Sequence, residues 1–182
     1  PVNSSLWHHR NYFLFMFNMR GMNFIDLAFL TAAAIKDGRL TYKRRKTKHG
    51  QNVHEFNIKI TTEAQQILEY YNLKEKKSSD LVFPIMADVI HLEDKSRVHT
   101  IYTNRIKNHN RRLNTIRKDI KLDTRLTTYV ARHTFATAGL HKGIPKAQIG
   151  DMLGHNCYYT TEAYLSDFDQ EVLDDAADQI LG

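Results

Sequence analysis

The 182-residue chain has one cysteine and no long apolar run, and each of these shortages excludes a class of protein. Cys157 has no possible partner within the chain, so neither an internal disulfide nor a cysteine-based metal site can form. This pattern is typical of a reducing compartment and predicts a cytoplasmic protein. The longest apolar stretch, Tyr12 to Phe17, is much shorter than a membrane span, so no membrane partner is expected.

Positive and negative charges are unevenly distributed along the chain. No Lys or Arg follows Lys146, whereas Asp and Glu are frequent from Asp167 to Asp178. The formal net charge is nevertheless +6, because basic residues are concentrated in Lys43 to Lys48 and in Arg105 to Lys118. Such clusters favour a polyanionic partner such as nucleic acid, although a basic run can equally be a solvated face.

The hydrophobic and turn patterns predict one α+β domain that is mainly α-helical with a small antiparallel β-sheet. The apolar and aromatic residues from Leu6 to Met19 indicate a buried first helix. The other predicted elements are strands near Ala34 to Lys36, Arg39 to Lys46 and Val53 to Ile60, and helices from Thr62 to about Lys76, Thr100 to Lys121, Thr128 to His141, from Pro145 onward, and Glu171 to Leu181.

Two helices carry more specific expectations. Asn23 fits a helix N-cap with Asp26 at the third helical position, and Leu27, Leu30 and Ala34 follow at helical spacing. In the long helix that begins near Thr100, one apolar seam leaves the basic side chains on the other faces. That seam consists of Ile106, Leu113, Ile116 and Ile120.

Three residues near the C-terminal end have the chemistry needed to cut a DNA strand by transesterification. Tyr164 is a possible nucleophile, Arg132 is a possible two-pronged clamp for phosphate oxygens, and His155 can donate a further hydrogen bond. Each residue type taken alone is more often structural, because single Arg, His and Tyr residues commonly serve packing or surface ion pairs.

The arrangement of these residues is more specific than any one of them. Ala131-Arg132-His133-Thr134-Phe135-Ala136-Thr137 is followed by Leu153-Gly154-His155 and then by Tyr164, nine residues later. This order and spacing closely resemble the signature of the tyrosine recombinase family. The resemblance extends from Phe13 to Leu165 and includes Lys46-Thr47, where the family has a β-hairpin lysine, and Phe83-Pro84 in a connecting loop.

The resemblance implies a role for each matching residue. Tyr164 would form a 3′-phosphotyrosyl bond, Arg132 would be the second clamp arginine, and His155 would donate to the transition state. Lys46 would be the general acid toward the 5′ oxygen, although its basic neighbours in the hairpin compete for that role. Such a mechanism implies no metal, no other cofactor and no small-molecule substrate.

Two positions depart from the family pattern. Asn23 stands where the family has its first clamp arginine, and Tyr129 stands where it usually has a histidine. A phenol can still donate to phosphate but is a poor base near neutral pH. Arg20 is the nearest candidate to replace the missing clamp arginine, and Arg44 and Arg45 are the other candidates.

The resemblance also implies partners and domain organisation. The chain, residues 1–182, would be a single catalytic domain of a mobile-element integrase, acting on double-stranded DNA beside an N-terminal core-binding domain that lies outside it. A homotetramer on DNA is expected, with the last helix docked either on its own domain or on a neighbour. The predicted DNA-binding residues are Lys43, Arg44, Arg45, Lys48, Arg111, Arg112, Arg117, Lys118 and His133.

Two other functions remain open on the sequence. Thr128 to His141 and Pro145 to Leu153 can form a helix–turn–helix in a DNA-binding module that cuts poorly or not at all. A type IB topoisomerase would use the same nucleophile to relax supercoils without exchanging strands.

Overall fold

The computed structural model describes residues 2–45, 54–89 and 91–155. The helices are α1 (Ser5–Asn18), α2 (Phe24–Ala28), α3 (Thr62–Tyr70), α4 (Lys95–Asp119), α5 (Thr128–His141) and α6 (Lys146–Leu153). The strands are β1 (Ile35–Lys36), β2 (Arg39–Lys43) and β3 (Glu55–Lys59), and short 3₁₀ turns occupy Ala32–Ala34 and Leu73–Glu75. The α+β, mainly helical class predicted from the sequence is confirmed.

Helix α1 lies at the centre of the packing. Ser4 caps its first turn, because the Ser4 hydroxyl accepts a hydrogen bond from the Trp7 amide at 3.1 Å. The helix contacts α3, α4 and α5, and it buries Tyr12, Phe15 and Met16 in the main core. A helix covered on several faces needs apolar residues around most of its circumference, which explains the dense aromatic sequence of this segment.

The sheet is a three-stranded antiparallel meander in the order β1-β2-β3. Asp37 and Gly38 form the first turn with φ angles of 51° and 71°, a region that Gly and Asp tolerate better than most residues. On β3, Phe56 and Ile58 are buried while Glu55, Asn57 and Lys59 are exposed, which confirms the predicted half-buried strand. The far end of the hairpin, including Lys46 and Lys48, lies outside the described residues.

Two predicted helices are shorter than expected. Helix α2 ends at Ala28, so Leu30 and Ala34 do not continue it; instead, the Leu30 carbonyl accepts from the Val82 amide at 2.8 Å and the Ala32 amide donates to the Asp80 carbonyl at 2.9 Å. Pairing with this distant loop replaces the helical hydrogen bonds. Helix α3 ends at Tyr70, well before Lys76, because Asn72 adopts the left-handed conformation with φ of 53°.

The long helix α4 begins earlier than predicted, at Lys95, where the Asp94 carboxylate caps the Arg97 amide at 3.0 Å. Its expected apolar seam is only partly correct. Leu113 is buried, but Ile120 lies past the helix end and is 61% exposed. The side chain that enters the core instead is His109, which is fully buried.

His109 joins α4 to α1 through a pair of imidazoles. Its Nδ1 lies 2.7 Å from the Nδ1 of His9, and its ring stacks on Phe24 with a centroid distance of 4.7 Å. Burial lowers the pKa of His109 to about 3, helped by the nearby His9. Burial likewise lowers the pKa of His9 to about 4, with further contributions from Arg112 and His8. One neutral ring must therefore donate to the other.

This pair predicts a loss of stability in mild acid. In the unfolded chain both imidazoles take up protons below their ordinary pKa near 6.5, whereas the folded forms resist protonation to about pH 4 or below. The free energy of unfolding should therefore fall between pH 6.5 and about 4, by up to about 1.4 kcal/mol per pH unit for each histidine. Denaturant unfolding at several pH values in this range should show that the free energy of unfolding of His109→Gln changes less steeply with pH than that of wild type. The exposed-site control His91→Gln should retain the wild-type slope, and identical slopes for all three proteins would contradict the prediction.

Candidate active site

Arg132 occupies a buried position where three parts of the chain meet. Its side chain extends from α5 and is only 6% exposed. Nη1 donates to the Gly21 carbonyl at 3.0 Å, and Nη2 donates to the Leu153 carbonyl. The guanidinium thus ties the segment after α1 to the end of α6.

Gly21 is required for this close approach. Its φ angle is +66°, and a Cβ built on it would lie 2.7 Å from the Arg132 Cα, which no relaxed structure allows. The chain reverses here after α1, so its backbone reaches α5 without an intervening side chain.

The end of α6 is shaped in a similar way. Gly154 ends the helix with φ of +66°, and a Cβ there would lie 2.4 Å from the Phe56 Cζ on β3. The His155 amide then donates to the Gly150 carbonyl at 3.0 Å, which folds the chain back over the helix end. This turn places His155 close to Arg132 and Arg44.

The electrostatic environment keeps His155 neutral. Its pKa is lowered to about 4, first by burial and then by the positive charges of Arg132 and Arg44. A neutral imidazole carries one N–H donor and one acceptor nitrogen. The group can therefore donate a hydrogen bond to an anion at neutral pH without itself being charged.

Arg44, just beyond the end of β2, lies against the same helix end. Its Nη1 donates to the Gly154 carbonyl at 3.2 Å. With the Asn23 amide oriented so that its oxygen faces Arg44, that oxygen accepts from Nε at 3.2 Å and from Nη2 at 2.7 Å. Asn23 does occupy the N-cap position of α2, but its side chain makes no cap hydrogen bond. The predicted N-cap position is therefore confirmed, but the side-chain capping bond is not formed, because the guanidinium engages the amide oxygen.

A buried carboxylate and a half-buried phenol complete the surroundings of the two arginines. Asp26 accepts the Arg45 backbone amide at 2.8 Å, and burial raises its pKa against the opposing effects of that bond and of Arg44. The Tyr42 ring stacks on Phe56 at 4.9 Å, and burial followed by the charge of Asp26 raises its pKa. The inward position of Tyr42 on an alternating strand was the one sequence signal for its involvement.

The remaining hairpin residues are arranged differently from Arg44. Lys43 is exposed and lies 3.7 Å from the Glu55 carboxylate, and the Arg45 guanidinium lies 4.2 Å above the Phe29 ring. Arg20 is half-buried with φ of 54° and borders a groove between β3 and α6. Among the sequence candidates for the missing clamp arginine, Arg44 is the one that bonds both Asn23 and Gly154.

The other site candidates divide between α5 and residues that the structure does not describe. Tyr129 is 51% exposed, and its ring meets the His133 ring edge-to-face at 4.4 Å, one turn along α5 from each other. Tyr164, Lys46 and Lys48 lie outside the described residues.

The basic side chains of α4 do not all face the same way. Arg111 and Lys118 line a cleft of about 500 Å³ together with Lys107, Asn110, Asn114, Thr115 and Arg125. Arg117 instead donates to the carbonyls of Leu122 (3.2 Å) and Asp123 (2.8 Å), which satisfies backbone groups after the helix. Arg112 is half-buried and lowers the pKa of His9. Sequence reasoning missed Arg125, because it lies in a loop outside the basic helix.

Across residues 2–45, 54–89 and 91–155, no group of three or more His, Cys, Asp or Glu side chains is placed to hold a metal ion. Over the same residues, no helix is both long and apolar enough to cross a membrane.

Comparison with known proteins identifies the family. Residues 4–171 match the phage integrase family. The chain belongs to that family. A curated relative, the tyrosine recombinase XerA of Saccharolobus solfataricus, is 28% identical over 152 residues, which are 84% of this chain and 43% of the relative. The match therefore covers less than half the length of that relative.

Solved structures confirm the tyrosine recombinase catalytic fold. The crystal structure of XerA recombinase aligns with a TM-score of 0.60 at 18% identity, covering 98% of this chain and 65% of the other. A post-cleavage complex of XerH with its palindromic difH substrate gives a TM-score of 0.63 at 19% identity, covering 97% of this chain and 47% of the other. The structure of the Tn1549 transposon integrase in complex with circular intermediate DNA aligns with a TM-score of 0.50 at 15% identity, covering 89% of this chain and 55% of the other.

The contact between Gly21 and Arg132 predicts a large effect of one methyl group. Gly21→Ala should lower the free energy of unfolding by more than Gly38→Ala, which has a φ of +71° but nothing within 4 Å of the added Cβ. Backbone strain should cost both variants about 1 kcal/mol, and overpacking should cost Gly21→Ala about 1–3 kcal/mol more. Urea unfolding of both variants measures the difference in the free energy of unfolding. Equal losses of stability would contradict the prediction, because they would show that the segment after α1 shifts to accommodate the added methyl group.

Proposed function

We propose that this chain is the catalytic domain of a site-specific DNA recombinase of the integrase type, which cuts and rejoins strands through a 3′-phosphotyrosyl intermediate. The observation that supports it is the convergence of Arg132, Arg44 and His155 at the end of α6. Two guanidiniums and a neutral imidazole form an anion-binding cluster suited to a phosphodiester. The family match and the placement of Tyr164 nine residues after His155 supply the reaction type.

The proposed chemistry is a balanced exchange of phosphate esters. The Tyr164 oxygen attacks the scissile phosphorus and releases its proton to water, while the P–O5′ bond breaks and the 5′ oxygen gains a proton. Lys46 supplies that proton, while Arg132 and His155 donate to the nonbridging oxygens of the phosphorane. The new phosphotyrosine is an ester of similar energy, so attack by a 5′ hydroxyl reverses the step without ATP, metal or other cofactor.

Double-stranded DNA is the proposed partner. The XerH and Tn1549 integrase structures are complexes with DNA. In this chain the hairpin residues Lys43, Arg45 and Lys48 would approach the backbone near the cut, with Tyr129 and His133 on the exposed side of α5. Arg111 and Lys118 would contact phosphates from the α4 cleft. Such contacts position the protein without reading sequence.

The larger assembly is proposed from the family and from chain length. The relative XerA is more than twice as long as the matched region, which leaves room for a further DNA-binding domain. We infer that residues 1–182 act as a single domain, beside an N-terminal core-binding domain, within a homotetramer on DNA in the cytoplasm of the host of a mobile element. The acidic segment from Glu171 to Leu181 would dock on its own domain or on a neighbour.

Covalent trapping tests the nucleophile. A nicked suicide substrate, taken from the junctions that flank the source element, should yield a covalent protein–DNA adduct with wild type, because the released 5′ fragment cannot rejoin. Tyr164→Phe should give no adduct, since it lacks the attacking oxygen. The matched control Tyr159→Phe should react as wild type. Confirmed DNA binding without any adduct would favour the non-catalytic DNA-binding alternative, and relaxation of supercoiled plasmid without strand exchange would favour the topoisomerase alternative.

Salt dependence tests the α4 cleft. Each phosphate contact that is lost should reduce the slope of log K against log [salt] by about 1. Lys118→Ala and Arg125→Ala should each show this reduction, and the double variant should show about twice as much. Lys74→Ala, which removes an exposed lysine from the 3₁₀ turn after α3, should leave the slope unchanged. Fluorescence anisotropy from about 50 to 200 mM salt measures it, and an unchanged slope in the double variant would exclude the cleft from the interface.

A further inference from the structure

Two arginines from distant parts of the chain hold neighbouring peptide groups at the end of α6. Arg132 donates to the Leu153 carbonyl, and Arg44 donates to the Gly154 carbonyl at 3.2 Å. The acceptors belong to consecutive residues, and both guanidinium charges lower the pKa of His155, so the two arginines share one site at the end of α6. Like charges in one site repel each other, and an anion bound there would offset that repulsion.

Arg44 is held in one orientation by Asn23. The Asn23 amide oxygen accepts from both Nε and Nη2, at 3.2 and 2.7 Å, and the Gly154 carbonyl accepts from Nη1. These bonds engage three of the five guanidinium N–H groups. Among the described residues these are the acceptors that Arg44 engages, which leaves one N–H on each terminal nitrogen for the oxygens of a phosphate.

The buried carboxylate of Asp26 supports this position from behind. It accepts the backbone amide of Arg45 at 2.8 Å, which fixes the chain just after Arg44. The charge of Arg44 also acts on Asp26 and on His155, so the guanidinium lies within electrostatic reach of both. The carboxylate partly offsets the charges of the buried Arg132 and the half-buried Arg44.

We propose that Arg44 is a catalytic residue that binds the scissile phosphate beside Arg132, and that Asn23 is the positioning residue that aims it. The inference rests on the proposed function and assigns to Arg44, just beyond the end of β2, the charge that the Asn23 position lacks. Arg45 is directed instead to the Phe29 ring, whereas Arg20 lines the groove between β3 and α6 and acts on Tyr42 only through its charge. The hydrogen bonds of Arg44 connect the Asn23 position directly to the α6 terminus that carries His155.

A kinetic test compares four proteins on the suicide substrate at saturating protein: wild type, Arg44→Ala, Arg44→Lys and Arg39→Ala. Loss of one preorganised donor should slow single-turnover cleavage by about 10²- to 10³-fold in Arg44→Ala. Arg44→Lys should be intermediate, because it keeps the charge but loses the fork. Arg39 is an exposed arginine at the start of β2 that bonds Asn57, so Arg39→Ala should cleave at the wild-type rate.

A neutral phosphate separates a catalytic role from a merely structural one. With a methylphosphonate at the scissile position, one nonbridging oxygen and its charge are absent, so the need for a second guanidinium is reduced. Arg44→Ala should then cleave within about tenfold of wild type on the same substrate. If Arg44→Ala is misfolded, it should cleave slowly on both substrates. Arg44→Lys is then compared with wild type on the two substrates instead.

Inorganic phosphate provides a test that needs no cognate DNA. Titration of the free protein with phosphate, followed through the imidazole signals of His155 by NMR, should show binding that Arg44→Ala weakens about tenfold or more and Arg39→Ala leaves unchanged. Equal phosphate binding by wild type and Arg44→Ala would overturn the inference, as would cleavage by Arg44→Ala at the Arg39→Ala rate. No adduct from wild type would overturn the proposed function instead, and the phosphate titration would still decide the role of Arg44.

Discussion

The rest of the site depends on the hydrogen bonds of the buried Arg132 guanidinium. Its hydrogen bonds to the Gly21 and Leu153 carbonyls join the turn after α1 to the end of α6, and α5 supplies the side chain itself. A guanidinium carries five fixed donors and cannot shed its proton, so its burial requires acceptors in defined directions. Backbone carbonyls meet this requirement, and they in turn constrain three separate segments to one geometry.

Two glycines allow that geometry to form. Gly21 and Gly154 both adopt positive φ, and each lies where a Cβ would collide with another element, Arg132 in one case and Phe56 in the other. The helix ends can therefore approach the sheet and α5 closely enough for backbone carbonyls to orient arginine side chains. The site is thus built largely from main-chain groups, whose positions the packing of α1, α5 and α6 determines.

Much of the fold could be predicted from residue patterns, and the errors have a common cause. The turn at Asp37-Gly38, the alternation on β3 and the pair α5–α6 follow from local signals, and the structure confirms them. Helix α2 is cut short by backbone pairing with a loop near Val82, and His109 replaces Ile120 in the core. Both outcomes depend on partners far away in sequence, which no local period reveals.

The sequence by itself determined the mainly helical class and the family resemblance, and it singled out Arg132 and His155 as candidate site residues, because each of these rests on short motifs and local periodicity. Only the tertiary structure decided that Arg44, of three candidate arginines, meets Asn23 and the α6 terminus. It also turned Arg117 toward backbone carbonyls and brought Arg125 into the basic cleft. The physical reason is that an arginine side chain is long and flexible, so its partners are set by the packing of surrounding elements rather than by its own neighbours in the chain.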